Sequence, residues 1–129
     1  MKILDSDHCI AILRGKLDLR GKVNADEELA VTTISVGELM HGAHRSQRPA
    51  DNLARLDVLL ASLTILPFDE SSARRFGLLK ASLQNEGQPL HDLDLQIASI
   101  VLEYDLPLVT HNQKHFARIE KLNLEDWLD

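Results

Sequence analysis

The stretch from 89 to 116 constrains the fold more than any other part of the sequence. Its apolar residues recur at the three- and four-residue spacing of a helix that docks on a sheet. The apolar run at 106–109 then predicts a short parallel strand that is covered on both faces. A helix that leads directly into a buried strand is typical of α/β proteins. The helical stripe consists of Leu93, Ile97, Ile100, Val101 and Tyr104.

Two aspartates in the first turn of this helix are predicted to face different surroundings. At about 100° per residue, Asp92 falls on the flank that carries Glu103. Asp94 falls on the opposite flank, beside Ala98. Asp92 should therefore face water and complement the helix dipole, which leaves it a weaker candidate metal ligand. Asp94 is the stronger candidate, because a carboxylate on the less polar flank needs a cation or hydrogen-bond donors to offset its desolvation.

Composition limits the classes of protein to which the chain can belong. Its 129 residues fit one domain, 1–129, and its single cysteine, Cys9, excludes an internal disulfide and suits a small core position. No apolar run reaches the roughly 18 residues of a membrane span, so we expect a cytoplasmic protein with no membrane association. The net charge of −6 argues against broad affinity for nucleic acid. A polyanionic substrate would need local basic residues or metal ions.

Four further runs of apolar or β-branched residues alternate with helical patterns along the chain. They predict strands at 2–4, 29–34 and 64–66 and an edge strand at 122–124, in addition to the strand at 106–109. Strands that alternate with helices imply a parallel sheet covered on both faces. The sequence therefore predicts an α/β fold with three layers, α/β/α, around a central parallel sheet of about five strands.

Three acidic residues lie where predicted strands hand over to helices or where a helix begins. Asp5 follows the first strand, Glu38 lies shortly after the second, and Asp94 lies in the first turn of the central helix. A parallel sheet gathers such positions along the crevice at the carboxyl ends of its strands. Carboxylate oxygens are the ligands that Mg²⁺ and Mn²⁺ prefer. The three acids therefore predict a hard-cation site that suits phosphodiester cleavage by a metal-activated water.

Helix capping is the competing explanation for some of these polar residues. Asp7 is predicted to be the N-cap of the first helix, since aspartate is among the preferred capping residues. Ser35 and Glu38 have the spacing of a capping box, in which Glu38 would bond back to the Ser35 amide. The position of Glu38 near a strand end, which mirrors that of Asp5, favours the ligand interpretation.

Four blocks of sequence, in order, carry a resemblance to a known family. They are Ile-Leu-Asp5-Ser-Asp-His, then Thr-Thr-Ile-Ser-Val-Gly-Glu38-Leu with Gly42 nearby, then Asp94-Leu-Gln-Ile-Ala-Ser, and finally Leu-Val-Thr110-His-Asn112-Gln-Lys-His-Phe116. Together they resemble the PIN-domain ribonucleases, specifically the VapC-type toxins of bacterial toxin–antitoxin pairs. The resemblance covers the whole chain, and four ordered blocks are much more specific than any single one.

The resemblance implies an activity and a set of partners. Asp5, Glu38 and Asp94 match the family's metal-binding acids, and the implied activity is Mg²⁺- or Mn²⁺-dependent endonucleolytic cleavage of RNA. Thr110 and Ser6 are assigned to positioning of the substrate. Family members are commonly homodimers that are neutralised by a smaller VapB-type antitoxin, a segment of which packs over the active-site groove.

The chain departs from the family pattern at two positions. Asn112 stands where many PIN nucleases have a fourth acid; it joins the predicted catalytic set because its carbonyl can ligate Mg²⁺ or a bound water. Asp7 stands where the family often has asparagine. Whether the site holds one metal ion or two stays open.

Two other functions are compatible with parts of the sequence. A non-catalytic PIN-like module that binds RNA or protein would tolerate the acidic net charge and Asn112. The run Asp5-Ser6-Asp7 also matches the Asp-x-Asp nucleophile motif of haloacid-dehalogenase-like phosphatases. That second family needs a downstream lysine and a later acidic pair, which this sequence does not present convincingly.

Overall fold

A computed structural model, which describes residues 1–128, contains a five-stranded parallel sheet between two layers of helices. The order of the strands across the sheet is β3-β2-β1-β4-β5, and every neighbouring pair is parallel. The predicted α/β/α architecture is therefore confirmed. The strands are β1 (Lys2–Leu4), β2 (Leu29–Thr32), β3 (Thr64–Leu66), β4 (Leu108–Val109) and β5 (Leu124–Glu125).

In the described part of the chain, six helices cover the two faces of this sheet. Because successive residues of a strand point to opposite faces, Ile3 packs with α4, α5 and α6, whereas Leu4 packs with α1, α2 and α3. Both side chains are fully buried, and each such residue contributes roughly 1.5–3 kcal/mol of apolar burial. The helices are α1 (Ser6–Leu13), α2 (Thr33–His44), α3 (Pro49–Ala61), α4 (Glu70–Asn85), α5 (Asp92–Tyr104) and α6 (Gln113–Phe116).

Helix α5 is buried on more than one side, because it packs against α4 as well as the sheet. The predicted apolar stripe is wrong at its two ends, since Leu93 is 38% exposed and Tyr104 is 40% exposed. Leu95, which lies outside the predicted stripe, is only 1% exposed. A helix that contacts two partners carries a broader apolar surface than a single stripe.

Strands β2 and β4 are shorter than predicted, and strand β5 is shifted along the chain. Strand β2 ends at Thr32, which is the last residue paired with β3 and is also the N-cap of α2. The Thr32 hydroxyl accepts a hydrogen bond from the Ser35 N–H at 3.1 Å, so the predicted capping box is wrong and Ser35 lies inside the helix. Strand β4 covers only the last two residues of 106–109, and β5 covers 124–125 instead of 122–124.

Cys9 is fully buried in the core, as predicted. Within residues 1–128, no helix combines the length and the apolar content needed to cross a lipid bilayer.

Candidate active site

The carboxyl end of β1 lies at the centre of the sheet edge, because β1 is flanked by β2 and β4. Its last N–H bond to β4 runs from Asp5 N to Val109 O at 2.9 Å. Thr110, which follows β4, donates its hydroxyl to Asp5 Oδ2 at 2.7 Å, and Ser6 N donates to Asp5 Oδ1 at 2.9 Å. The strand order reverses between β1 and β4, and this switch point is where open parallel sheets bind ligands.

The Asp5 carboxyl is held in an environment that disfavours its charge. Asp5 is 7% exposed, and burial raises its pKa to about 6, against the lowering effect of the Thr110 hydrogen bond. The charges of Asp7 and Asp94 raise the Asp5 pKa further. Among residues 1–128, no basic side chain lies within ion-pair distance of Asp5. A carboxylate in this position would be stabilised by a bound cation.

Glu38 and Asp94 face the same crevice from two different helices. Burial raises the pKa of Glu38, and the charges of Asp5 and Asp94 raise it further, so these three acids lie close enough to repel one another. The Asp94 side chain is 21% exposed, and its Oδ2 lies 3.4 Å from the Nδ1 of His115. The structure therefore brings together the three acids on which the sequence-based site prediction rests.

Asp92 lies outside this crevice, on the outer flank of α5. Its side chain is 52% exposed and lies 2.9 Å from the Nζ of Lys80 in α4. The prediction that Asp92 faces water while Asp94 faces protein is confirmed. The structure gives Asp92 a surface ion pair, and does not place it among the clustered acids.

Asp7 also belongs to the crevice, and its predicted role as N-cap of α1 is wrong. Asp5 is the N-cap, so Asp7 lies within the first turn of α1. Its Oδ2 accepts a hydrogen bond from His111 N at 3.0 Å and lies 3.5 Å from the Thr110 hydroxyl oxygen. Its Oδ1 lies 2.7 Å from the Nδ1 of His8. In the sequence, the signal that set Asp7 apart was that it stands where the resembled family often has asparagine.

Asn112 lies at the mouth of the crevice and connects two of its sides. Its backbone N–H donates to the Thr110 hydroxyl at 3.0 Å, and its Nδ2 lies 2.9 Å from the Nδ1 of His115. His115 in turn contacts Asp94, which the sequence did not indicate, because α6 is too short for a periodic pattern. Ser6 contacts the site through its backbone N–H, which donates a hydrogen bond to Asp5 Oδ1.

The acidic crevice has the donor chemistry of a site for Mg²⁺ or Mn²⁺. Within residues 1–128, no three acidic, histidine or cysteine side chains are already arranged as a ligand cluster. Mg²⁺ usually takes only one or two protein carboxylates and fills its other positions with water and substrate, so such a cluster is not required. The mutual repulsion at Asp5 and Glu38 is the feature that a divalent cation would relieve.

A groove adjoins the crevice on the face formed by α1, α2 and α3. It has a volume of about 230 Å³ and an apolar floor, to which Leu39 and Leu56 contribute. Glu38 lies on its lining, and Arg14 and Arg55 contribute positive charge to the same lining. Glu38 therefore belongs both to the lining of this groove and to the acidic crevice.

Comparison with known proteins gives consistent matches over nearly the whole chain. The family model described as PIN domain matches residues 2–122. A Shigella flexneri protein named tRNA(fMet)-specific endonuclease VapC is 30% identical over 127 residues, which are 97% of this chain and 96% of the relative. A Haemophilus influenzae protein named Ribonuclease VapC2 is 31% identical over 128 residues, which are 98% of this chain and 97% of the relative.

Solved structures match the fold equally well. A chain of the DNA-bound VapBC structure from Salmonella typhimurium superimposes with a TM-score of 0.90 at 30% identity, and covers 98% of this chain and 99% of that one. A chain of the Rickettsia felis VapBC2 structure, bound to a DNA fragment from the promoter, gives a TM-score of 0.89 at 28% identity, with 98% of each chain covered.

Proposed function

Because the chain belongs to the PIN domain family, and within it to the VapC-type ribonucleases, we propose that it is a Mg²⁺- or Mn²⁺-dependent endoribonuclease that acts as the toxin of a toxin–antitoxin pair. The observation that carries the proposal is the buried Asp5 carboxyl, which is crowded by Asp7 and Asp94 and has no basic partner among the described residues. Burial of an unpaired carboxylate lowers the stability of the fold, so it is unfavourable for a purely structural residue, whereas a bound cation would offset its charge.

Each residue of the crevice has its own proposed role in RNA cleavage. Asp5, Glu38 and Asp94 would hold the cation. When bound, the cation would lower the pKa of a water ligand and offset negative charge on the RNA phosphate. Thr110 keeps Asp5 oriented through the 2.7 Å hydrogen bond. Glu38, the exposed acid of the set, would bind the cation from α2, and Asp94 would bind it from α5. The Asn112 amide, at the mouth, can donate to the phosphate.

A VapB-type antitoxin is the proposed protein partner. The groove between α1, α2 and α3 is lined by apolar side chains and by Glu38, so a bound segment would cover Glu38 as well as the apolar surface. Matched structures from Salmonella typhimurium and Rickettsia felis are of VapBC complexes, which supports such a partner for this chain. We also propose that the protein is a cytoplasmic homodimer, as family members commonly are.

The test of the nuclease proposal is cleavage of cellular RNA and tRNA by the purified protein. Cleavage should require added Mg²⁺ or Mn²⁺ and should disappear in excess EDTA. Asp5→Asn should be inactive while remaining folded, since asparagine also caps helices well. Full activity in EDTA would overturn the metal dependence. RNA binding without cleavage, under all metal conditions, would favour the non-catalytic module instead.

The test of the toxin proposal is expression in a bacterial host. The wild-type protein should arrest growth, and a small protein encoded beside it should relieve the arrest. Asp94→Asn provides a matched control, because it keeps the fold and the groove but removes one clustered acid. Growth that is unaffected by a soluble, RNA-cleaving protein would contradict the toxin role while leaving the nuclease role intact.

A further inference from the structure

His8 is a buried polar residue with a defined contact at each ring nitrogen. It lies in α1, and its side chain is fully buried against the segment that follows β5. Its Nδ1 lies 2.7 Å from Asp7 Oδ1, and its Nε2 lies 3.0 Å from the backbone N of Trp127. The ring also packs edge-on against the Trp127 indole, with the ring centroids 6.2 Å apart. Packing alone would be served equally well by an apolar side chain.

These contacts fix which nitrogen of His8 carries the proton. A backbone N–H can only donate, so the Nε2 that faces Trp127 N must be the acceptor. In the neutral ring the proton then lies on Nδ1, which donates to Asp7 Oδ1. The Asp126 carboxylate also approaches Nε2, but at 3.5 Å it is farther away than the Trp127 nitrogen.

We infer that His8 is a positioning residue for the acidic crevice. It receives a hydrogen bond from Trp127 and passes one to Asp7, which leaves Asp7 Oδ2 to accept the His111 N–H. The carboxylate of Asp7 is thereby fixed at both oxygens beside Asp5. The Asp7 side chain is 33% exposed, so without the His8 donor its Oδ1 would have no fixed partner in this network. Outer hydrogen bonds of this kind orient the groups that bind metal.

The inference rests on the proposed nuclease activity and extends the site to the segment after β5. Asp126 reinforces the same connection from outside, because its Oδ2 lies 2.8 Å from the Nδ1 of His111. Both neighbours of Asp7 in this network, His8 and His111, are therefore tied to residues 126–127. The orientation of a crevice acid depends on a part of the chain that does not itself contact Asp5.

Two amide variants, each of which keeps one of the two ring-nitrogen contacts, separate positioning from packing. The amide of asparagine can occupy the place of Nδ1, so His8→Asn keeps the donor to Asp7 and loses the acceptor for Trp127. The amide of glutamine reaches the place of Nε2, so His8→Gln keeps the Trp127 bond and loses the donor to Asp7. We expect His8→Gln to lower kcat for RNA cleavage by about 10- to 100-fold, and His8→Asn to lower it by less than about 3-fold.

Stability should follow a different order from activity. His8→Asn removes more volume from a buried site and leaves the Trp127 N–H unsatisfied, so it should melt at a lower temperature than His8→Gln. Leu60→Ala, in the core of the α3 layer, serves as a destabilised control that should keep its kcat. If the activities of the two His8 variants simply follow their melting temperatures, His8 is a packing residue and the inference is wrong.

A measurement on the wild-type protein tests the contact without any cleavage assay. Long-range ¹H–¹⁵N NMR spectra of the imidazole should show a proton on Nδ1 and none on Nε2. A proton on Nε2 would overturn the inference, whatever the variants do. If the wild type shows the expected tautomer but cleaves no RNA, the proposed function fails. The midpoint of Mg²⁺-induced thermal stabilisation in the two variants then decides the role of His8, which stands only if His8→Gln weakens Mg²⁺ binding more than His8→Asn.

Discussion

The acids of the crevice and the acids on the outer flank of α4 and α5 are placed in opposite ways. On the flank each acid has a basic partner: Asp92 lies 2.9 Å from Lys80, Glu70 lies 3.0 Å from Arg74, and Glu103 lies 3.6 Å from Arg75. In the crevice, the Asp5 carboxyl receives hydrogen bonds, within residues 1–128, only from a hydroxyl and a backbone N–H, and the charges of Asp7 and Asp94 raise its pKa.

The two regions differ in what their charges do for the folded chain. An exposed pair stabilises a protein by about 0–1 kcal/mol, because water screens it and the side chains lose entropy. A carboxyl whose pKa is raised from 3.8 to about 6 weakens the metal-free fold at neutral pH by roughly 3 kcal/mol. The crevice holds acids that cost stability, whereas the flank holds acids that are paired, and this contrast supports the proposed cation site.

The largest difference between the two regions should appear in catalysis. Asp94→Asn should lower the rate of RNA cleavage by about 10³-fold or more, because it removes charge that the transition state needs. Asp92→Asn is the matched control two residues away, and should keep at least half of the wild-type rate. Initial rates on one RNA at saturating Mg²⁺ provide the measurement. Equal losses in the two variants would remove the distinction between crevice and flank.

The second difference should appear in the pH dependence of metal-free stability. Between about pH 4 and pH 6 the folded state retains a proton on Asp5 that the unfolded chain has released, so the free energy of unfolding falls as pH rises. The fall attributable to Asp5 is roughly 3 kcal/mol. It is measured as the difference between wild type and Asp5→Asn in urea titrations with EDTA. A difference that stays constant from pH 4 to pH 7 would contradict the raised pKa.

Addition of metal should sharpen the comparison further. In EDTA, Asp94→Asn should be at least as stable as wild type, because one repelling charge is gone. At a Mg²⁺ concentration 100 times the dissociation constant, wild type should gain about 2.7 kcal/mol and the variant much less. Thermal melts at two metal concentrations check both statements. A variant that is less stable in EDTA and responds normally to Mg²⁺ would identify Asp94 as a structural residue.

The smallest effect belongs to the flank. Lys80→Ala should lower the free energy of unfolding by no more than about 1 kcal/mol, because its pair with Asp92 is exposed. RNA cleavage by this variant should stay at the wild-type rate. Urea titrations at low and high salt provide the check. A loss of several kcal/mol would show that the flank is not an ordinary surface.

Sequence patterns predicted the parts of the site that depend on single elements. Asp5, Glu38 and Asp94 could be predicted because each lies close to an element boundary and parallel strands bring such positions together. The opposite orientations of Asp92 and Asp94 followed from helical geometry alone. The strand order, and with it the position of Thr110 beside Asp5, depends on pairing between residues 105 positions apart, which local periodicity does not determine.

Capping residues were the main source of wrong predictions. Asp5, Asp7, Thr32 and Ser35 all have side chains that can cap a helix, and sequence preference does not choose among neighbours. The choice is made by the sheet: β2 stays paired with β3 as far as Thr32, so the helix begins immediately after it. His8 was overlooked for a related reason, since its partner Trp127 lies 119 residues away.

The central position of β1 has a consequence for the timing of synthesis. Strand β1 is synthesised about a hundred residues before its neighbour β4, so Asp5 can contact Thr110 only after all of that stretch has been made. The Trp127 contact to His8 forms later still. An unfinished chain thus carries Asp5, Glu38 and Asp94 without the strand that aligns them. For a proposed RNA-cleaving toxin, the pairing of β1 with β4 is therefore the step at which Asp5 and Thr110 first share one crevice.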